Sequence, residues 1–363
     1  MPEKGPAAKV ALIGVQGAGK TTLWCALTGA DPARAAAHQG KTAAAAVRIL
    51  DPRLLAAHQK NGPEKKLVAP TLEFIDTPPI ALDGPDKQDN PGVFAHFRDA
   101  DGFIIVLKAY DLSSGAFSAR KAEHGTAKEE GGHVARQLDA IKGELFLADV
   151  DVMQKRIEKL RPDVKKPLPN RDELQRELAV LERLAEAVSG GDAKAFDALK
   201  EEDEKKVKGF QFFSKKPLVP LANIAETDLA KPPLAPAAAL KLEMELAAME
   251  ESERASFMKD YGLSSLVTAG FALAAFDRMG LQTFLTLGDR DTTGWAVRKG
   301  ATALEAAGKI HTDIQKGFIN MEVIPYAELE KAPSPHAARQ KQRVEGKAYV
   351  MRDFDIVNVK FHV

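Results

Sequence analysis

The stretch GVQGAGKTT at residues 14–22 constrains this chain more than any other. It contains Gly14-x-x-x-x-Gly19-Lys20-Thr21 without a gap, between the apolar run KVALI and a helical run that stops at Gly29. A short buried strand, a glycine-rich turn and a helix are the parts of a phosphate cradle. Glycines let backbone N–H groups converge on an anion, and the helix that follows points its positive end at it. In such a cradle Gln16, Gly17, Ala18 and Gly19 line the phosphates with Gly14, and Lys20 reaches the β- and γ-phosphates. The Thr21 hydroxyl ligates magnesium, and Thr22 meets the α-phosphate.

The rest of the chain supplies what such a loop needs. TLEFID (71–76) and GFIIVLKAYD (102–111) are two more apolar strands, separated by TPPIALDGPDKQDNPG, which reads as loop. Strands joined by helix-length connections predict an α/β fold with a parallel sheet wrapped by helices. The strand 71–76 ends in Asp76, where a carboxylate standing behind the magnesium belongs, so Lys20 and Asp76 are the candidate catalytic groups and Thr21 and Asp76 the candidate metal groups. KPLVPLANIAE (216–226) returns to strand character and offers Asn223 and Glu226 where GTP-binding proteins carry N-K-x-D. The lysine is absent and glutamate stands for aspartate. Residues 31–62 are rich in Ala, Gln and Gly and yield no assignment.

Between the strands, apolar residues three and four apart run through VARQLDAIKGELFLADVDVMQKRIEKL, break at RPDVKKPLPN and resume in RDELQRELAVLERLAEAV. That pattern predicts an antiparallel helical hairpin inserted in the sheet domain, either a solvated arm or a docking surface. The divisions read as 1–132 and 207–278 for the sheet domain, 133–206 for the hairpin and 279–363 for a small C-terminal α+β module. Lys plus Arg and Asp plus Glu are 51 each, so no global field draws the chain to nucleic acid or membrane, and such contacts must come from local patches. SSLVTAGFALAAF (264–276) is too short to span a bilayer and reads as a buried helix, and the N-terminus has no signal-peptide pattern. A soluble, cytoplasmic chain without membrane partners is expected. The single cysteine, Cys25, reads as a buried helical thiol.

Together these stretches resemble the YchF-type Obg-like ATPases, P-loop proteins with an inserted helical hairpin and a C-terminal TGS (ubiquitin-like) domain. The resemblance runs along nearly the whole chain, most specifically through GWAVRKGATALEAAGKIHTDIQKGFINMEVIPY and EGKAYVMRDFDIVNVKFHV. It implies a magnesium-dependent NTPase in which Asn223 and Glu226 recognise the base, leaning towards ATP over GTP. It also implies association with the ribosome or RNA, with Lys309, Lys316, Arg339, Lys341, Arg343 and Lys347 as candidate contacts; a monomer is favoured.

The departures bear on activity. Gly17 stands where the family has asparagine, and Asp76-Thr77-Pro78-Pro79 replaces the usual Asp-Ile-Ala-Gly switch. Proline has no N–H to offer a γ-phosphate at position 79. The first-switch threonine has no clear counterpart beyond Thr42, and no glutamine lies near Asp76, Gln88 being a dozen residues on. Slow hydrolysis is therefore expected, with Gly84 as an alternative backbone donor; a nucleotide-gated binding module with little or no hydrolysis is the other reading. Asp353-Phe354-Asp355 stands where the family has D-G-D, a turn that favours glycine. His96 reads as a polar helix position, His311 as a turn residue, and Trp295 and Phe318 as core.

Overall fold

The computed structural model describes residues 6–36, 42–110, 127–190, 194–230, 232 and 236–362. Its first sheet contains β1 (Lys9–Ile13), β2 (Ala43–Arg48), β4 (Thr71–Asp76), β5 (Gly102–Lys108), β6 (Leu218–Asn223) and β7 (Ala237–Ala238), in the order β2-β4-β1-β5-β6-β7. All neighbours are parallel except β2 and β4. Strands buried on both faces should read as continuous apolar runs, and β5 does: Phe103, Ile104, Ile105, Val106 and Leu107 are all fully buried. One face packs on Leu23, Trp24 and the helix Val267–Arg278, which includes Phe271 and Phe276; the other packs on Phe94, Phe97 and Phe213. The helix read from 264–276 is therefore Val267–Arg278.

The second sheet adds β3 (Lys66–Val68), β8 (Leu281–Leu287), β9 (Asp291–Arg298), β10 (Phe318–Ile324), β11 (Arg343–Glu345) and β12 (Ile356–Phe361), in the order β11-β10-β12-β8-β9-β3. The helix Ala303–Ile310 lies on it, begun by a Thr302–Glu305 capping box and buried through Ala303, Ala306 and Ala307. Trp295 stacks on Phe284, and its indole N–H donates to Thr286 Oγ1 at 2.9 Å; Phe318 is buried, as a core reading of both expects. His311 accepts from the Asp313 N–H at the start of the helix Thr312–Lys316.

The hairpin helices run Ala127–Asp163 and Arg171–Ser189, held along their seam by Met153, Ile157, Leu160, Val180, Leu181 and Leu184. The first helix begins ahead of the apolar periodicity because AKEEGG carries no apolar residue beyond alanine. The presumed loop after Asp76 contains a 3-10 turn, Pro85–Asp89, and then a short helix, Asn90–Ala95. Proline at the start of each supplies the preset φ of a first helical turn, which a Pro/Gly/Asp-rich composition hides.

At the turn that resembles D-G-D, Phe354 takes φ 62°, a left-handed conformation that disfavours side chains. Its ring is buried with Leu54, Ala57 and Leu285, beneath the Arg53 guanidinium at 3.9 Å. Burying an aromatic ring, at roughly 1.5–3 kcal/mol, offsets a strain of about 1–3 kcal/mol.

Candidate nucleotide site

Register brings the site together. Leu12 of β1 pairs with Asp76 and with Ile104, so the strands end level and Asp76 emerges beside the loop that leaves β1. Lys108 pairs with Asn223 and Asn223 with Ala238, which lines the carboxyl ends of β5, β6 and β7 along the same edge. Ligands of open α/β sheets bind at that edge. A cavity of about 1050 Å³ opens there, lined by residues 16–22, 76–79, Tyr110, residues 223–227 and Lys241.

The loop takes this course only because of two glycines. A Cβ on Gly14 would sit 2.5 Å from the Val106 carbonyl oxygen, and one on Gly19 would sit 2.3 Å from Asn223 Nδ2. Gly19 also has φ 99°, and from it starts the helix α1 (Lys20–Thr28), which ends on the left-handed Gly29. Lys20 is buried, its ammonium donating to the carbonyl oxygens of Gly14 and Val15 at 3.2 Å each. Burial lowers its pKa to about 8, against a smaller upward pull from Asp76.

The Thr21 hydroxyl donates to Asp76 Oδ2 at 2.6 Å. The other oxygen, Asp76 Oδ1, is buried without a hydrogen-bond partner, and burial raises this carboxyl above the ordinary aspartate value. An orphaned carboxylate oxygen beside a threonine hydroxyl is a donor set that suits a hard divalent cation. Magnesium typically takes one or two protein ligands and completes its shell with water and phosphate oxygens, so Thr21 and Asp76 fit it. Among the described residues no group of three His, Cys, Asp or Glu side chains could hold a metal.

Asn223 is buried; its amide N–H donates to Ala18 O at 3.0 Å and its side-chain oxygen accepts from Leu240 N at 3.3 Å. It therefore braces the phosphate loop against the segment after β7. Glu226 opens a 3-10 turn, Glu226–Asp228, on the cavity wall with its side chain exposed. After Asp76, the Thr77 hydroxyl donates to Leu12 O at 2.7 Å, Pro78 and Pro79 line the cavity, and Ile80 N donates to Gly14 O at 3.0 Å. Thr42 precedes Ala43, which pairs with Asp76, and is exposed. Gly84, Gln88 and His96 do not line the cavity. Cys25 does, 3% exposed, with its thiol pKa raised by burial.

Two contacts have no expectation behind them. The Trp24 indole N–H donates to Phe74 O at 3.0 Å, pinning α1 to β4 two residues before Asp76. The Tyr110 hydroxyl donates to Gly17 O at 2.7 Å. Tyr110 had a sequence signal, since it follows the carboxyl end of β5; Trp24 had none, because an indole one turn into an apolar helix reads as core.

Strand, loop, helix and level strand ends define a P-loop NTPase domain. The comparisons with known proteins agree. A family model described as 50S ribosome-binding GTPase matches residues 9–161, and the model YchF-GTPase_C, described as a protein of unknown function, matches residues 281–362. The ribosome-binding ATPase YchF of Haemophilus ducreyi is 29% identical, over 98% of this chain and 99% of its own. That of Bacillus subtilis is 28% identical over 97% of this chain and 98% of its own. The solved structure of the Schizosaccharomyces pombe YchF GTPase shares the fold, with a TM-score of 0.76 at 21% identity over 99% of both chains. Along nearly its whole length the chain is thus similar to proteins named ribosome-binding ATPase YchF. No helix among the described residues is long and apolar enough to cross a membrane.

Proposed function

We propose that this protein binds a purine nucleoside triphosphate with Mg2+, hydrolyses it slowly and associates with the ribosome in the cytoplasm. One observation carries the nucleotide reading: the Thr21 hydroxyl meets Asp76 at 2.6 Å beside the buried Lys20, and the other Asp76 oxygen is buried and unpartnered. Relatives named ribosome-binding ATPases, aligned over nearly the whole chain, support the ribosome. In this reading residues 14–22 hold the phosphates, Thr21 ligates magnesium and Asp76 stands behind it. When bound, magnesium would neutralise charge on the phosphate oxygens. Lys20 supplies the remaining positive charge, leaving the two loop carbonyls it now engages.

Glu226 is the group that reads the base edge, with Asn223 holding the two loops between which the base lies. Without an N-K-x-D aspartate, guanine lacks its usual acceptor pair, and strong rejection of adenine requires such placed polar groups. Competition titration with ATP and GTP tests this: ATP is bound at least as tightly, and a hundredfold guanine preference would refute it. A second reading, nucleotide-gated binding with little hydrolysis, is favoured by the Ile80 N–H, which is engaged with Gly14 O and so is not offered to a γ-phosphate. Turnover with and without ribosomes separates the two. The working division is a P-loop domain at 1–132 and 207–278, a hairpin at 133–206 that extends back along its first helix to Ala127, and a TGS-like module at 279–363.

A further inference from the structure

Residues 49–70 belong to the nucleotide sheet by sequence and to the C-terminal module by packing. The excursion is closed at its neck by the Ile49 N–H donating to Pro70 O at 2.8 Å. Within it, Asp51 caps the helix Pro52–Asn61, whose Leu54 and Ala57 are buried among Leu285, Ile324, Leu329, Phe354 and Ile356.

Two side chains at the end of that helix act as clamps. Lys60 Nζ donates to the carbonyl oxygens of Leu329, Glu330 and Ala332 at 2.8, 2.6 and 2.9 Å. These close the helix Tyr326–Lys331, whose last carbonyls have no intrahelical partner, so a cation from another part of the chain satisfies them. Asn61 Nδ2 lies 3.2 Å from Gly288 O, 3.2 Å from Asp291 O and 2.9 Å from Thr292 Oγ1. Directly afterwards β3 pairs parallel with β9, Val68 against Thr293. Only Ala69 and Pro70 then separate a strand of the second sheet from β4, which ends in Asp76. At the other end of the excursion β2 pairs with β4, Ala43 against Asp76. A crevice of about 400 Å³ lies where the start of the helix Pro52–Asn61 (Asp51, Arg53), the helix Val267–Arg278 (Leu273, Asp277) and the second sheet's Thr283 and Phe354 meet. The module is thus fastened through this excursion, and separately where Leu281 enters the core of the first sheet and Lys299 pairs with Asp277.

We propose that residues 49–70 form a tether through which displacement of the C-terminal sheet moves β4 and Asp76 and so changes magnesium–nucleotide affinity. This rests on the nucleotide reading above. Lys60 and Asn61 are positioning residues, since neither lines the cavity. Coupling of this kind is reciprocal: nucleotide at Asp76 biases the C-terminal sheet as much as the sheet biases nucleotide.

The test uses the full chain, with Lys60→Ala/Asn61→Ala cutting both clamps and Lys60→Met keeping the lysine stem should the double variant fail to fold. Hydrogen exchange without nucleotide reads the tether directly. Cutting the clamps raises exchange in residues 66–68 and 288–293, and also in residues 71–76. A rise confined to the second sheet overturns the proposal. Titration with ATP and magnesium weakens at least about fivefold, the lower end of ordinary coupling. Lys299→Met, which removes the surface ion pair from Lys299 to Asp277 between the module and the helix Val267–Arg278, leaves affinity unchanged. An equal loss in that variant means that loosening the module anywhere suffices, and overturns the tether. A wild-type chain that binds no nucleotide sinks the functional reading, while the exchange result still decides the tether.

Discussion

Lys20 holds a charge where water is scarce, and its binding contribution follows from that. The ammonium is buried against two loop carbonyls with its pKa lowered to about 8. A polyphosphate favours the charged form, so its binding raises that pKa. Affinity is therefore full below pH 8 and is lost as pH climbs through the free-site value. Between pH 7 and 9 it falls about tenfold, given a free-site pKa near 8. A pH series of titrations checks this, and the slope disappears in Lys20→Met. At neutral pH, Lys20→Ala removes a charge-assisted contact of roughly 1.5–3 kcal/mol, and affinity drops at least about tenfold; equal affinity would refute the site. These residues were legible because the loop's chemistry is local. Asn223 was legible as part of the site, but not the two bonds that make it a brace, since Ala18 lies 205 residues away in sequence.

In the proposed reaction the strap after Asp76 is the element expected to set the rate. In a D-x-x-G switch the glycine N–H turns towards the γ-phosphate, but here Pro79 has none and the next amide, Ile80, is engaged with Gly14 O. Thr77 fixes the strap's start to Leu12 O, so little of it is free to order and disorder with nucleotide. Single-turnover hydrolysis is accordingly expected below about 1 s⁻¹, the low end of ordinary enzymes. Quenched-flow comparison with Pro79→Gly, which restores the donor, should show a faster step; an unchanged rate means that another group stabilises the γ-phosphate. Strands β1, β4, β5 and β6 could be read from their apolar runs, and α1 from its loop and Gly29. β2 could not, because Ala43–Arg48 is mostly alanine with alternate residues exposed. β3 is three residues long and gains its place only from β9, more than two hundred residues away. Such pairing has no local signature.

For the whole molecule, zero net charge means that the proposed association with the ribosome must use local cations. Lys309, Lys316, Arg339, Lys341, Arg343 and Lys347 are all exposed on the C-terminal module. Removing the module is a poor way to test them. Leu54 and Ala57 are fully buried against it, so a chain cut at residue 280 would bare the apolar face of the helix Pro52–Asn61 and leave β3 unpaired next to β4. Weaker binding would then mix a missing RNA interaction with a disturbed nucleotide site. Substitution separates them. Arg339→Gln, Lys341→Gln and Arg343→Gln together remove three charges from a segment whose only named strand is the edge strand β11. Removing one cation from a phosphate lowers the salt slope of binding by about one. The triple variant should co-sediment less with ribosomes at moderate salt, with a slope shallower by up to about three, while ATP affinity stays that of wild type. Unchanged co-sedimentation across a salt series would move the RNA-binding face away from this segment, to the hairpin or to Lys309 and Lys316.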